Sequence, residues 1–167
     1  IGDPDFATPE NISNAGIDAI KNGFTHYVSS SGLTEFRQKI CETTEMSRGF
    51  KPNIDQVLVT PGANIAIFYA ISCIVNPGEE IIVPDPGFPS YYSTIKMCNT
   101  KAVHVPLLES NKFRMNPKDI ENSITEKTRM IIINSPQNPT GSVMTEEEIR
   151  MTYEIAKKHD LYLYSDE

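Results

Sequence analysis

Residues 81–105 read IIVPDPGFPSYYSTIKMCNTKAVHV, a pattern that predicts one strand-helix-strand unit. Short strands are predicted at Ile81 to Val83 and at Lys101 to Val105, with a helix between them through Tyr91 to Met97. The first of these strands has no polar residue, which is typical of a strand buried on both faces of a parallel sheet. Two parallel strands need a crossover connection, and the intervening helix supplies it.

The same alternation of strand and helix extends along most of the chain. Further strands are predicted at residues 57–59, 130–133 and 161–164. Helices are predicted at about residues 8–23, 34–49, 64–75, 116–124 and 145–159. The last of these helices begins with a capping box formed by Thr145 and Glu148. Strands separated by helices predict an α/β fold, a mostly parallel sheet covered by helices on both faces.

The composition argues against several classes of protein. The chain has 167 residues with 15 Lys and Arg, 22 Asp and Glu, and a formal net charge of −7, whereas nucleic-acid binders usually carry a basic surface. The same charge argues against attachment to anionic lipid, and no apolar stretch reaches the length of about 18 residues that a membrane-spanning helix needs. The three cysteines and three histidines lack metal-ligand spacing, so we expect no metal site and a reducing, cytoplasmic compartment.

Ligands of an open parallel sheet bind at the carboxyl ends of its strands. Four polar or turn-forming segments follow predicted strands, at residues 60–64, 84–91, 134–141 and 165–167. The carboxyl ends of parallel strands lie along one edge of the sheet. We therefore expect these four segments to lie close together and to form a binding site.

Each segment offers one group with a binding role, and each group also has an ordinary structural explanation. Gly62 precedes a helix N-terminus that suits a phosphate, although a plain βα turn would have the same sequence. Phe88 could stack on a planar ring, or pack together with Tyr91 beneath its loop. Asn138 lies on a proline-stiffened loop, where it either contacts a ligand or caps the turn. Asp166 ends an apolar strand, where it needs a cationic partner or several donors, unless it is a helix N-cap.

Six short motifs occur in order along the chain, and together they resemble one family. They are Gly2-Asp3-Pro4-Asp5-Phe6, His26-Tyr27 with Gly32, Thr60-Pro61-Gly62-Ala63-Asn64, Pro77-Gly78-Glu79-Glu80, Asn134-Ser135-Pro136-Gln137-Asn138-Pro139-Thr140-Gly141 and Ser165-Asp166-Glu167. In content and spacing they resemble the class I and II aminotransferases, enzymes of the aspartate aminotransferase type and of fold type I that use pyridoxal 5'-phosphate. The resemblance covers the whole chain, and its most specific parts are the Asn-Pro-Thr-Gly loop and the terminal Ser-Asp-Glu.

The resemblance implies a role for each group of the predicted site. The cofactor phosphate would lie on the turn formed by Gly62, Ala63 and Asn64. The ring of Phe88 would stack on the cofactor ring. The amide of Asn138 would bond the cofactor's 3′-oxygen, and the carboxylate of Asp166 would pair with the pyridine nitrogen.

The resemblance also implies partners. The substrates would be an amino acid and a 2-oxo acid, and the protein would be a homodimer with shared active sites that binds neither nucleic acid nor membrane. Tyr27 would reach the cofactor phosphate of the partner subunit. Gly2, on a mobile segment, and Asn138 would lie at the substrate.

The family's Schiff-base lysine lies beyond its Ser-Asp-Glu motif. We therefore expect that lysine downstream of Glu167 and no catalytic residue within the chain itself. On this expectation the 167 residues are part of a longer protein and are inactive alone. Residues 1–25 would belong to a small domain, and residues 26–167 would form the first part of the large cofactor-binding domain, truncated at its C-terminal end.

Transamination is the function that the sequence favours, and four alternatives remain open. Carbon–sulfur lyases and aminocyclopropane-carboxylate synthases use these loops within the same fold. A transcription regulator could use an aminotransferase-like domain as a sensor without catalysis. A non-catalytic dimer scaffold would lack the downstream lysine.

Overall fold

The computed structural model describes residues 4–167, which divide into two compact units. The first unit ends at Thr60, and the second runs from Pro61 to Glu167. The first unit includes residues beyond 25, and a long-range hydrogen bond within it runs from Val59 N–H to the carbonyl oxygen of Ser31 at 3.0 Å. The assignment of residues 1–25 to a small domain stays a prediction.

The first unit contains two helices, α1 (Glu10–Lys21) and α2 (Thr34–Arg48). Gly49 ends α2 in the left-handed conformation, at a φ of 74°, which glycine adopts without a steric cost. A short 3-10 turn, Ile54–Gln56, follows.

The prediction of a strand at residues 57–59 is wrong. The backbone hydrogen bonds of this segment are made with groups that belong to no strand. The guanidinium of Arg37 donates to the carbonyl oxygen of Val57 at 2.9 Å, and Val59 N–H donates to the carbonyl oxygen of Ser31. β-branched residues favour extended backbone, but a strand also needs a neighbouring strand for its ladder of hydrogen bonds. In the described part of the chain, this segment has extended character without such a neighbour.

The second unit is the predicted α/β fold. Its strands are β1 (Glu80–Asp85), β2 (Lys101–Pro106), β3 (Thr128–Asn134) and β4 (Tyr162–Asp166). Its helices are α3 (Ala63–Ile74), α4 (Pro89–Met97), α5 (Pro117–Asn122) and α6 (Glu146–Lys158). All strand pairs are parallel, and the strand order in the sheet is β2-β1-β3-β4. The first and last residues of each of these strands and helices lie within two positions of those predicted from the sequence.

Helices cover both faces of the sheet, as the apolar strands predicted. The register aligns Val103, Ile82, Ile131 and Leu163 in one row across the four strands. This row packs with α5 and α6 in a core that we call the α6-side core. The alternate strand residues face the opposite way and pack with α3 and α4 in the α3-side core; they include Ile81, Val83, Met130 and Ile132.

The strand order creates a crevice between β1 and β3. After β1 the chain turns through α4 to β2 on one side of the sheet, and after β3 it turns through α6 to β4 on the other side. The two connecting helices lie on opposite faces, so the loops that leave β1 and β3 diverge. Such a reversal is where open α/β sheets bind ligands, at the carboxyl ends of the strands. Among the described residues, no helix has the length and apolarity to cross a membrane.

The capping box predicted at the start of α6 is present. The Thr145 side chain accepts from Glu148 N–H at 3.2 Å, and the Glu148 carboxylate accepts from Thr145 N–H at 2.8 Å. The same carboxylate also pairs with the guanidinium of Arg114 at 2.9 Å. Burial alone would raise the pKa of Glu148, but the hydrogen bonds from Thr145 and Arg114 outweigh it and hold the pKa below its ordinary value of 4.5.

A depressed carboxyl pKa predicts a defined pH dependence of stability. The Glu148 contribution is present above the unfolded pKa, near 4.5, and is lost as the pH falls through the lower folded pKa. We expect Glu148→Gln to lower the free energy of unfolding of the full-length protein by about 1 kcal/mol at pH 7, and the difference to shrink below pH 4.5. Denaturant titrations at several pH values measure it. Glu146→Gln is the control, because the Glu146–Arg150 pair is exposed; an equal effect of both changes would contradict the prediction.

Candidate functional site

A pocket of about 380 Å³ lies at the carboxyl edge of the sheet, where the sequence predicted a site. It is lined by the N-terminus of α3, the loop after β1, the loop after β3 and the end of β4. The lining residues are Ala63, Asn64, Ile67, Phe88, Asn134, Pro136, Asn138, Asp166 and Glu167. The structure therefore brings together Ala63, Asn64, Phe88, Asn138 and Asp166, which are far apart in the sequence.

The N-terminus of α3 forms one end of the pocket. Gly62 is its N-cap, at a φ of 95° that favours glycine, and this N-cap makes no side-chain capping hydrogen bond. The first N–H groups of an α-helix lack acceptors within the helix, and the helix dipole makes this end positive. The pocket end formed by Ala63 and Asn64 is therefore suited to an anionic group such as a phosphate.

Phe88 provides an aromatic ring at the mouth of the crevice. It is the N-cap residue of α4, and Pro89 at the first helical position fixes the backbone direction after it. Its ring meets the ring of Tyr91 edge to face, with centroids 5.7 Å apart at 81°. Phe88 is half-buried, whereas Tyr91 is completely buried in the α3-side core, so Phe88 is the ring that lines the pocket.

Asn134 joins the ends of β3 and β4. Its buried side-chain amide donates to the carbonyl oxygens of Pro136 at 3.1 Å and Asp166 at 3.0 Å, and its oxygen accepts from Asn138 N–H at 2.7 Å. Sequence analysis did not identify this role. A polar residue at the end of a fully apolar strand was the available signal, because a buried amide is stable only when its hydrogen bonds are made.

Gln137 joins the loops on the two sides of the crevice. Its buried amide nitrogen donates to the carbonyl oxygens of Pro86 and Asn138, both at 2.8 Å. Its amide oxygen accepts from the N–H of Thr140 at 2.9 Å and from the Thr140 hydroxyl at 2.6 Å. All four hydrogen bonds of the side chain are thus made within the loops. The rigidity that the prolines predicted for the Asn138 loop is reinforced by a link to the loop after β1.

The carboxylate of Asp166 accepts a hydrogen bond from a neutral side chain. The hydroxyl of Tyr91, on α4, donates to Oδ2 of Asp166, and the described ion pairs do not include this carboxylate. The sequence predicted a cationic partner or several donors; the phenol is one donor from within the chain, and a cationic partner stays a prediction. Burial, followed by the hydrogen bond and the charge of Asp166, raises the pKa of the Tyr91 hydroxyl far above its usual range. Tyr91 therefore keeps its proton and acts as a permanent donor.

Tyr27 is not among the residues that line this pocket. Tyr27 belongs to the first unit, where its side chain is fully exposed. Its contact with a partner subunit stays a prediction. Gly2 lies outside the described residues. Within residues 4–167, no three His, Cys, Asp or Glu side chains are grouped as ligands for a metal ion.

The donor set of the pocket fits a flat ligand that carries an anion at one end and a protonated nitrogen at the other. The positive end of α3 suits the anion, and the carboxylate of Asp166 suits the cationic nitrogen. Phe88 offers a ring face, and Asn138 offers an amide. A volume of about 380 Å³ is within the usual range for pockets that hold small molecules.

Comparisons with known proteins agree with this description. The family model of aminotransferase class I and II matches residues 1–167. An aspartate aminotransferase of Musicola paradisiaca is 41% identical over 170 residues, covering 99% of this chain and 42% of the relative. Aromatic-amino-acid aminotransferase 2 of Thermococcus litoralis is 36% identical over 168 residues, covering 100% and 43%.

Solved structures of aminotransferases also have the same fold as this chain. The crystal structure of an aromatic aminotransferase from Pyrococcus horikoshii matches with a TM-score of 0.95 and 37% identity, over 99% of this chain and 44% of that one. The chain thus spans less than half the length of the relatives that it matches.

Proposed function

Because the chain belongs to the class I and II aminotransferases, we propose that its protein transfers an amino group from an amino acid to a 2-oxo acid, using pyridoxal 5'-phosphate. The observation that carries this proposal is the meeting of a helix N-terminus, an aromatic ring, an amide and a carboxylate in one pocket. Those four groups match the phosphate, ring, 3′-oxygen and pyridine nitrogen of that cofactor. Relatives named for aspartate and for aromatic amino acids support the class of reaction rather than one particular donor.

The residues of the pocket would divide the binding of the cofactor among them. The N–H groups at the start of α3, with Gly62, Ala63 and Asn64, would hold the phosphate. Phe88 would stack on the ring, and the Asn138 amide would donate to the 3′-oxygen. When bound, pyridoxal phosphate supplies an electron sink for the charge that develops at the α-carbon of the amino acid.

Asp166 would hold a proton at the pyridine nitrogen. A negative carboxylate beside that nitrogen favours its protonated form, and each unit by which the pyridine pKa rises is worth about 1.4 kcal/mol. Contacts within the chain set the position of the carboxylate: the Asn134 amide donates to the backbone carbonyl oxygen of Asp166 at 3.0 Å, and the Tyr91 hydroxyl donates to its side chain. Such preorganisation avoids a cost of reorganisation during the reaction.

The proposal includes the partners that the family resemblance implies. The protein would act in the cytoplasm as a homodimer with shared active sites, and Tyr27 would reach the cofactor phosphate of the partner subunit. Gly2 and Asn138 would lie at the substrate. The fully exposed side chain of Tyr27 is compatible with a contact made outside its own unit.

The proposed transamination can be tested by following where the amino nitrogen of the donor goes. We expect the full-length protein, loaded with pyridoxal phosphate, to move ¹⁵N from a labelled amino acid to an added 2-oxo acid, forming one new amino acid for each 2-oxo acid released. Mass spectrometry of both products measures this ratio across a panel of donors. Label recovered as ammonium, together with a released thiol, would instead indicate a carbon–sulfur lyase. Label retained in a cyclic amino acid would indicate a cyclopropane-forming synthase. Cofactor binding without turnover of any donor would indicate a sensor.

A further inference from the structure

Tyr91 and Asp166 form a hydrogen-bonded pair between elements that are 75 positions apart. Tyr91 lies in the first turn of α4 and has no exposed surface. Its ring packs in the α3-side core, and its hydroxyl contacts the carboxylate of Asp166, which lines the pocket. The side chain therefore has two separable parts, a ring that stabilises the core and a hydroxyl that meets the carboxylate.

We propose that Tyr91 is a positioning residue of the cofactor site. Its hydroxyl holds Oδ2 of Asp166, which orients the carboxylate so that Oδ1 is presented to the protonated ring nitrogen of the cofactor. This inference rests on the proposed function, and it adds a residue that does not itself line the pocket. A carboxylate with one oxygen fixed has less rotational freedom to lose when the ligand binds.

A neutral donor suits this task better than a cation. An arginine, lysine or protonated histidine beside Asp166 would also orient the carboxylate, but its charge would oppose the protonated nitrogen of the ligand. The Tyr91 hydroxyl carries no charge, and burial keeps it protonated. It can satisfy one carboxylate oxygen while the negative charge stays available to the cofactor. The second aromatic hydroxyl of α4, on Tyr92, donates elsewhere, to the carbonyl oxygen of Pro84 at 2.6 Å.

This arrangement can be tested with two tyrosines and two ligands. Tyr91→Phe and the control Tyr92→Phe each remove one hydroxyl from neighbouring positions of α4 in the full-length protein. Binding to each apoprotein is measured for pyridoxal phosphate and for its 1-deaza analogue, in which a C–H group replaces the ring nitrogen. Only the first ligand can use an oriented Asp166 carboxylate.

We expect Tyr91→Phe to weaken the binding of pyridoxal phosphate about tenfold, equivalent to about 1.4 kcal/mol, and to change the binding of the deaza analogue less than twofold. Tyr92→Phe should change neither dissociation constant more than twofold. Equal weakening of both ligands by Tyr91→Phe would overturn the proposal and leave a packing role. Unchanged binding of both ligands would overturn it as well.

A double-mutant cycle provides a second measurement of the same coupling. In an Asp166→Asn background the carboxylate charge is gone, so the additional Tyr91→Phe change should have less than a twofold effect on pyridoxal phosphate binding. Independent, additive effects of the two changes would contradict the proposal. Because the readout is ligand binding, it stays informative if the protein proves to be a sensor or a lyase. Failure of the proposed function is thereby distinguished from failure of this inference.

Discussion

Replacing Asp166 with asparagine is expected to reduce kcat of the full-length enzyme by about 100-fold or more. The amide has nearly the same shape as the carboxylate, and it can still accept the hydrogen bond from Tyr91. It carries no negative charge, so the protonated form of the pyridine nitrogen loses its stabilising partner. The phosphate and ring contacts are unaffected, so the cofactor should still bind. Steady-state kinetics of transamination and the dissociation constant of pyridoxal phosphate measure the two effects separately.

Asp85→Asn is the matched control for this change. Asp85 ends β1 at the same edge of the sheet but does not line the pocket, and its carboxylate lies 3.5 Å from Nδ1 of His104. We expect this variant to retain kcat within about twofold, because its carboxylate is half-exposed and does not line the pocket. A folded Asp166→Asn protein with full activity would refute the assignment of Asp166. So would an equal loss in both variants, because it would trace the effect to the charge of this edge as a whole.

The substitution Leu107→Ala is expected to lower the free energy of unfolding of the full-length protein by about 3 kcal/mol. Leu107 follows β2 and is 5% exposed in the α6-side core, where it packs with Val105 and Ile82. Removing its methyl groups leaves a cavity beneath the sheet and loses the free energy of their burial. Denaturant-induced unfolding, followed by far-UV circular dichroism, measures the change.

The neighbouring residue supplies the control. Leu108 is 53% exposed, and its identified contacts are made by its backbone carbonyl oxygen, which accepts from Asn111 and Phe113. Alanine keeps that carbonyl group, so Leu108→Ala should cost less than about 1 kcal/mol. Similar losses at the two positions would show that the burial of this segment differs from the structure described.

The fold was predictable to the extent that it depends on local patterns. The apolar run of β3 and the capping box of α6 predicted their elements within two residues, because burial on both faces and helix capping leave marks in neighbouring residues. Residues 57–59 show the limit of that reasoning. Their β-branched composition is equally typical of a strand, yet strand formation depends on a partner elsewhere in the chain, which composition does not reveal.

The site was predictable for a similar reason. Gly62, Phe88, Asn138 and Asp166 each follow a strand-like or apolar segment, and parallel topology alone brings such positions to one edge. Their supporting contacts were not predictable. Gln137 reads as an ordinary polar loop residue, and only the tertiary structure shows that it joins the loops after β1 and β3. Likewise, only the tertiary structure shows that Asn134 joins the ends of β3 and β4.

The sequence by itself therefore determined the class of fold, the edge of the sheet at which the pocket lies and several of the residues that line it. Tertiary structure alone decided the strand order β2-β1-β3-β4, and with it the pairing of the Tyr91 hydroxyl with the Asp166 carboxylate. The physical reason is the range of the interactions. Hydrophobic periodicity, capping and turn formation depend on residues that are close together in the sequence, so the local sequence predicts them. A hydrogen bond between residues 75 positions apart forms only when the sheet and its helices have packed.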